Sequence, residues 1–291
     1  MKWRHPNISR WLGATRTADG TYCHVLIAEN PDERAEGVRT LSEVVEQAHA
    51  DALQEFRRLY AVSLDPLTPG MSAHTPPDSY PHGLHTSTLQ GYLGEIIAGV
   101  VAENHDPHDI TWTVPAFLFR AHEQAREALV RRFQLGGPAR PIPGRTGDDC
   151  VAFALNDDGT VKAWLNAEAK CTHDHDSGLI AKGHAQLSSA ITAPVNLYRI
   201  VDIVRTSSDP RDAAWTAPLE LFLRGGSEAQ RYDLFMYVCG RPPVRDTTWM
   251  TTNAAHAAYT RQGTLAAVEA HLDGFDEVLL ASYPGHVINR A

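Results

Sequence analysis

The stretch GDDCVAFALNDDGTVKAWLNAEAK, Gly147 to Lys170, decides how this chain folds. Two apolar runs, Asp149 to Leu155 and Val161 to Cys171, flank Asn156-Asp157-Asp158-Gly159-Thr160. An Asp-Gly pair between two strand-like runs is a hairpin signal, because glycine accepts the positive φ that a tight turn demands. Alternate residues of a strand share one face. Glu168 and Lys170 are therefore expected to project together, with Asn166 on the same side, and the hairpin brings Asp149 beside them.

Outward from the hairpin, helical and extended segments alternate. Upstream, Thr86 to Asn104 reads as a helix, with Ser87 and Gln90 at capping-box spacing. Leu89, Tyr92, Leu93, Ile96, Ile97, Val100 and Val101 form its core stripe. Strand-like Thr111 to Phe119 and an arginine-bearing helix, His122 to Gln134, come between that helix and the hairpin. Downstream, the pattern predicts a helix near Ser177 to Ala190, a helical or mixed region to Arg224, and a buried strand at Tyr232 to Gly240. It then predicts a helix over Thr264 to Leu272 and a strand over Glu277 to Tyr283. At the other end, Thr21 to Ala28 reads as a strand and Thr40 to Tyr60 as a helix. Two irregular stretches, Ser63 to Gly83 and Gly136 to Gly147, are rich in proline or glycine. The expectation is an α/β protein with a small N-terminal α/β region over 1–84 and a second domain over 85–291.

Composition narrows the function. The 291 residues are 43% hydrophobic and 21% charged, enough apolar material for a core. Met1 to Arg16 lacks the apolar run of a secretory leader, and Ile96 to Ala102 is far too short to span a bilayer, so a cytoplasmic protein without membrane partners is expected. Cys23, Cys150, Cys171 and Cys239 show no CxxC spacing. The net charge of −9 repels polyanions on average, so nucleic acid would need a local basic patch or a partner. GxSxG, HExxH, Walker A and GxGxxG motifs are all absent from the sequence.

The chemistry concentrates at the hairpin. Two carboxylates and an ammonium at one end of adjacent strands suit a hard cation, Mg²⁺ or alternatively Mn²⁺, which keeps positions for water and phosphate. A lysine beside that water can orient it. Glu95 lies off the apolar stripe of its helix, among Thr88, Gly91, Ala98, Gly99 and Ala102. Small neighbours let another backbone come close, so Glu95 is expected to be partly enclosed and to need a partner such as a metal or its waters.

Glu95 on a helix, then Gly147-Asp148-Asp149, then Glu168-Ala169-Lys170 resembles the PD-(D/E)XK nuclease superfamily, whose members cut DNA with a divalent metal. That resemblance implies a restriction-endonuclease-like core, a mixed central sheet flanked by helices. It implies that Asp149 and Glu168 bind metal, Lys170 acts on the water and Glu95 assists a metal. Asp148 is a close alternative to Asp149, the G-x-D spacing favouring Asp149. A literal Pro-Asp is absent. Gln186 resembles a glutamine that some members use, but Ala190 stands where the usual tyrosine would follow. The Gly94-Glu95 helix, the long gap to Gly147 and the chain length resemble the anti-bacteriophage protein A / HamA family. HamA is the nuclease subunit of the Hachiman phage-defence system and works with a helicase, HamB. The resemblance spans roughly Thr86 to Ser189 and implies a DNA nuclease delivered to its substrate by a helicase subunit. The alternatives are a stand-alone restriction or repair endonuclease, or an inactive nucleic-acid-binding module of the same fold.

Two further clusters stand out. Cys171, His173 and His175 could supply three zinc ligands, or leave a histidine near the phosphate; a plain polar loop is the competing reading. Arg120, Arg126, Arg131, Arg132, Arg140 and Arg145 meet only Glu123 and Glu127 in opposition, and could track a DNA backbone or form an ordinary solvated face.

Overall fold

The computed structural model describes residues 2–17, 20–60, 80–117, 119, 149–188, 191, 193–226 and 228–288, with backbone only over 55–60. The arginine segment from Arg120 to Arg145, the irregular stretch 136–147, Asp148 and most of the proline-rich stretch lie outside the described residues.

A mixed six-stranded sheet organises the described chain, in the order β1-β2-β6-β5-β4-β3. Its strands are β1 (Leu12–Arg16), β2 (Tyr22–Glu29), β3 (Cys150–Leu155), β4 (Val161–Thr172), β5 (Gln230–Cys239) and β6 (Leu265–His271). The four central strands, β2, β6, β5 and β4, run parallel. The outer strands β1 and β3 are antiparallel to their neighbours. The predicted hairpin is β3–β4, with Cys150 opposite Ala167 and Val151 opposite Asn166. Gly159 supplies the left-handed turn residue, at φ 81°. Strands from the N-terminal region and from the rest of the chain thus share one sheet, joined where β2 pairs with β6.

Parallel strands must be covered on both faces, since helices make the crossovers. One face carries α2 (Arg34–Tyr60), α3 (Thr86–His105) and α8 (Phe275–Ser282), packed on Leu165, Ala167, Leu234, Met236 and Val268. The other face carries α4 (Ser177–Leu187), α5 (Leu197–Thr206) and α7 (Thr216–Leu223), packed on Val151, Phe153, Trp164, Phe235 and Tyr237. Two short helices, α1 (Pro6–Trp11) and α6 (Pro210–Ala213), complete the set. Among the described residues no helix is long and apolar enough to cross a membrane.

Several sequence expectations need correction. Thr264 to Leu272 is not a helix: Leu265–His271 is the inner strand β6. Its alanines favour a helix in isolation. Strands on both sides and helices above and below outweigh that preference, and small side chains fit the closely covered position. Glu277 to Tyr283 is not a strand: it belongs to α8 as far as Ser282, with Tyr283 as the C-cap. Gly274 at φ 58° and the first-turn acids Asp276 and Glu277 start that helix, and Phe275, Val278, Leu279 and Ser282 form its buried face at helical spacing. Among its described residues, Thr111 to Phe119 forms one bridge, Thr113 with Phe153, while Trp112, Val114 and Phe117 pack into the core. The long helix starts at Arg34 rather than Thr40, after a short turn capped by the Asn30 side chain. The cap of α3 is His85, whose Nδ1 accepts from Ser87 N at 3.2 Å, so Ser87 lies inside the helix.

Candidate active site

Glu168 and Lys170 sit near the C-terminal end of β4, on the face that also carries Asn166. Alternation along the strand separates them from Ala169 and Cys171, which face α3. The antiparallel register that pairs Val151 with Asn166 continues to set Asp149 against Glu168. Asp149 is locked there by its own Oδ2, which accepts from the Ala169 backbone N–H at 2.9 Å. A backbone donor from the opposite strand fixes the rotamer of the acceptor.

Glu168 is 4% exposed. Burial pushes its carboxyl up to about 8, the charge of Asp149 and a side-chain hydrogen bond to it push the same way, and Lys170 opposes. Lys170 Nζ donates to Glu168 Oε1 and forms an ion pair with it. The chemistry here is a like-charge carboxylate pair in a nearly dry setting, relieved by one ammonium. The group opens towards Asp149 and Lys170, both half-buried, and closes at Glu168.

The neighbouring strand extends the site. Phe235 and Tyr237 of β5 stand in register with Glu168 and Lys170. The buried Tyr237 hydroxyl lies 3.1 Å from His175 Nδ1 and accepts from Asp176 N at 3.0 Å. His175 in turn stacks on Trp249, ring centroids 3.7 Å apart and planes 6° from parallel. Tyr237 was not legible as a site residue, because only the parallel register of β4 and β5 brings it there, and Trp249 reaches His175 from the loop after β5.

Glu95 is enclosed, as its small neighbours predict, at 9% exposure. Gly94 makes this possible: a Cβ there would lie 2.8 Å from Cys171 Cβ and 3.7 Å from Ala169 Cβ. The helix therefore lies directly on β4, on the face opposite Glu168 and Lys170. The charge of Glu95 acts on Tyr283, whose hydroxyl is raised well above its usual range by burial and then by Tyr80, Glu95 and Cys171. Asp149, Glu168 and Lys170 are thus brought together, and Glu95 is placed across the strand from them.

The Cys171, His173 and His175 cluster disperses. Cys171 packs beneath Gly94, and burial raises its thiol. His173 Nδ1 stands 3.1 Å from Asp174 Oδ2, and His175 lies against Trp249. Among the described residues no three His, Cys, Asp or Glu side chains converge to hold a metal ion. Gln186 is exposed on α4.

No protein-family model matches the chain, and no curated protein matches it in sequence.

Proposed function

We propose that this chain is a metal-dependent nuclease of the PD-(D/E)XK type that hydrolyses phosphodiester bonds in DNA. The observation that carries the reading is the contact of three groups: Asp149 against Glu168 across the hairpin, and Lys170 paired to Glu168 at the end of β4. Two carboxylates forced together in a dry setting repel each other, and a hard divalent cation relieves that repulsion while leaving positions for water and phosphate. Asp149 and Glu168 fit Mg²⁺ or Mn²⁺ by this donor chemistry. When bound, the ion neutralises charge developing on the phosphoryl oxygens and raises the acidity of nearby water. The chain's own residues do the rest. Asp149 is preset by the Ala169 N–H. Lys170, released from Glu168, turns its N–H donors towards the attacking water and the phosphoryl oxygen. Glu95, carried by the helix that Gly94 seats on Cys171, would assist the metal, as the resemblance implies.

The net charge of −9 supports the further proposal that a helicase subunit holds the DNA, as the HamA-like arrangement suggests. Metal dependence tests the activity. Supercoiled plasmid incubated with the full chain should be nicked in Mg²⁺ or Mn²⁺ and stay intact in EDTA. Cleavage that persists in EDTA would refute the metal-dependent reading.

A further inference from the structure

A cavity of about 710 Å³ opens at the N-terminal ends of β2, β5 and β6, lined by Tyr22, Gln230, Arg231, Tyr259, Arg261 and Gln262 among others. Ligand sites fall in this size range. At its base lies Asp233, fully buried. Asp233 Oδ1 accepts from Arg231 Nε at 2.7 Å. Its Oδ2 accepts from the Tyr259 hydroxyl at 2.7 Å and lies 3.3 Å from Arg261 Nε. One buried carboxylate thereby hydrogen-bonds a guanidinium and a phenol and pairs by charge with a second guanidinium, whose buried Nε has no hydrogen bond of its own.

The two arginines are differently employed. Arg231 is spent on the fold: its terminal nitrogens donate to Leu187 O at 2.8 Å and Ile191 O at 3.2 Å, and its guanidinium lies over the Trp164 ring. Arg261 keeps one quarter of its side chain exposed, 24%, and its two terminal nitrogens make no hydrogen bond among the described residues. Gly263 allows this pose. A Cβ at 263 would lie 2.7 Å from Arg261 Nε and 3.2 Å from the Tyr259 hydroxyl. Among the described residues the cavity therefore holds two positive charges against one negative, and the outer edge of Arg261 is the guanidinium edge turned to it.

An arginine held beside a buried carboxylate by charge presents its terminal nitrogens as a fork for a planar or tetrahedral oxyanion. The rings of Tyr22 and Tyr259 are also fixed, the first by a 2.5 Å hydrogen bond from its hydroxyl to Thr251 O and the second by Asp233. Held aromatic rings stack on nucleobases, and side-chain amides such as those of Gln230 and Gln262 read base edges. We infer that this cavity binds a mononucleotide, its phosphate on the free edge of Arg261 and its base among Tyr22, Tyr259 and the two glutamines. The inference does not rest on the nuclease reading, since none of these residues belongs to the Asp149, Glu168 and Lys170 group.

Calorimetric titration of the full chain with AMP, GMP, CMP and UMP tests it, with adenosine and inorganic phosphate as partial probes. At least one mononucleotide should bind at sub-millimolar concentration, and each partial probe should bind it at least about tenfold more weakly. Arg261→Gln should weaken the mononucleotide at least about tenfold, and Gly263→Ala should do so independently by displacing Arg261. Both variants should keep the wild-type circular dichroism spectrum. No binding by any of the four mononucleotides, or equal binding by Arg261→Gln, would overturn the inference. So would an oligodeoxynucleotide whose binding needs Arg261 but is not displaced by any mononucleotide, which would assign the arginine to a polymer backbone.

Discussion

Alanine at Gly94 and, separately, at Gly91 puts one methyl group at each of two positions of α3 about one turn apart. Gly91 is exposed and a Cβ there meets nothing within 4 Å. Gly94 faces β4, and its Cβ would stand 2.8 Å from Cys171 Cβ, closer than two such atoms approach. Cys171 cannot swing away, because its Cβ is fixed to the strand backbone and the thiol is enclosed. Both substitutions gain the same helix-propensity term, roughly 0.5–1 kcal/mol for replacing an interior glycine. Their difference therefore isolates packing. Overpacking a closed contact costs roughly 1–3 kcal/mol. Gly91→Ala should be more stable than wild type by about 0.5–1 kcal/mol, and Gly94→Ala less stable than Gly91→Ala by about 1–3 kcal/mol. Urea denaturation followed by circular dichroism measures both, with unchanged slopes certifying that the same state unfolds. Equal midpoints for the two variants would refute the direct seat of α3 on the end of β4.

Other consequences are as direct. Asp149→Asn should abolish metal-dependent cleavage while Asp148→Asn retains it; the reverse outcome would show that the hairpin register presents Asp148. Glu95→Gln should raise the Mg²⁺ concentration needed for half-maximal cleavage more than it lowers the melting temperature, and a large drop in melting temperature with an unchanged metal response would make Glu95 purely structural. His49 is held far below its usual value, at about 3, by burial and then by the charge of His82, with Tyr80 and Tyr283 hydroxyls 2.9 and 3.1 Å from its ring nitrogens. A depressed histidine means that the unfolded chain binds the extra proton first. Its stabilising contribution is complete above about 6.5 and is lost as pH falls from 6.5 towards 3. His49→Gln should flatten the pH dependence of stability across that window, and an unchanged slope would contradict the neutral buried histidine.

The β3–β4 hairpin was legible because its signal is local: period-two alternation, an Asp-Gly turn, and charged residues breaking an apolar run near the strand end. Enclosure of Glu95 was legible for a similar reason, since glycine and alanine on one helical face admit a backbone. The type of β6 was not, because Leu265 to His271 is alanine-rich and its strand state comes from neighbours on all four sides. The reading of α8 as a strand missed a cap and a helical apolar spacing that the sequence does contain. Glu168's raised carboxyl depends on burial in the folded sheet and on Asp149 across the hairpin, and the Asp233 cavity gathers residues from β2, β5 and the segment before β6. Neither leaves a short-range pattern. The face of β4 that α3 covers was likewise invisible, because it depends on Gly94 meeting Cys171 rather than on the periodicity of either element.

The central claim is that Asp149, Glu168 and Lys170 cut phosphodiester bonds. Initial rates of supercoiled-plasmid nicking in Mg²⁺, compared for wild type, Glu168→Gln and Lys170→Ala at matched folded fraction, test it most directly. Removing a group that acts on the reacting atoms costs on the order of 100-fold or more. Wild type should nick, and each variant should fall by about that factor with its melting temperature nearly unchanged. Wild-type rates from either variant, or no nicking by the wild-type chain even with its co-purified partner present, would contradict the account.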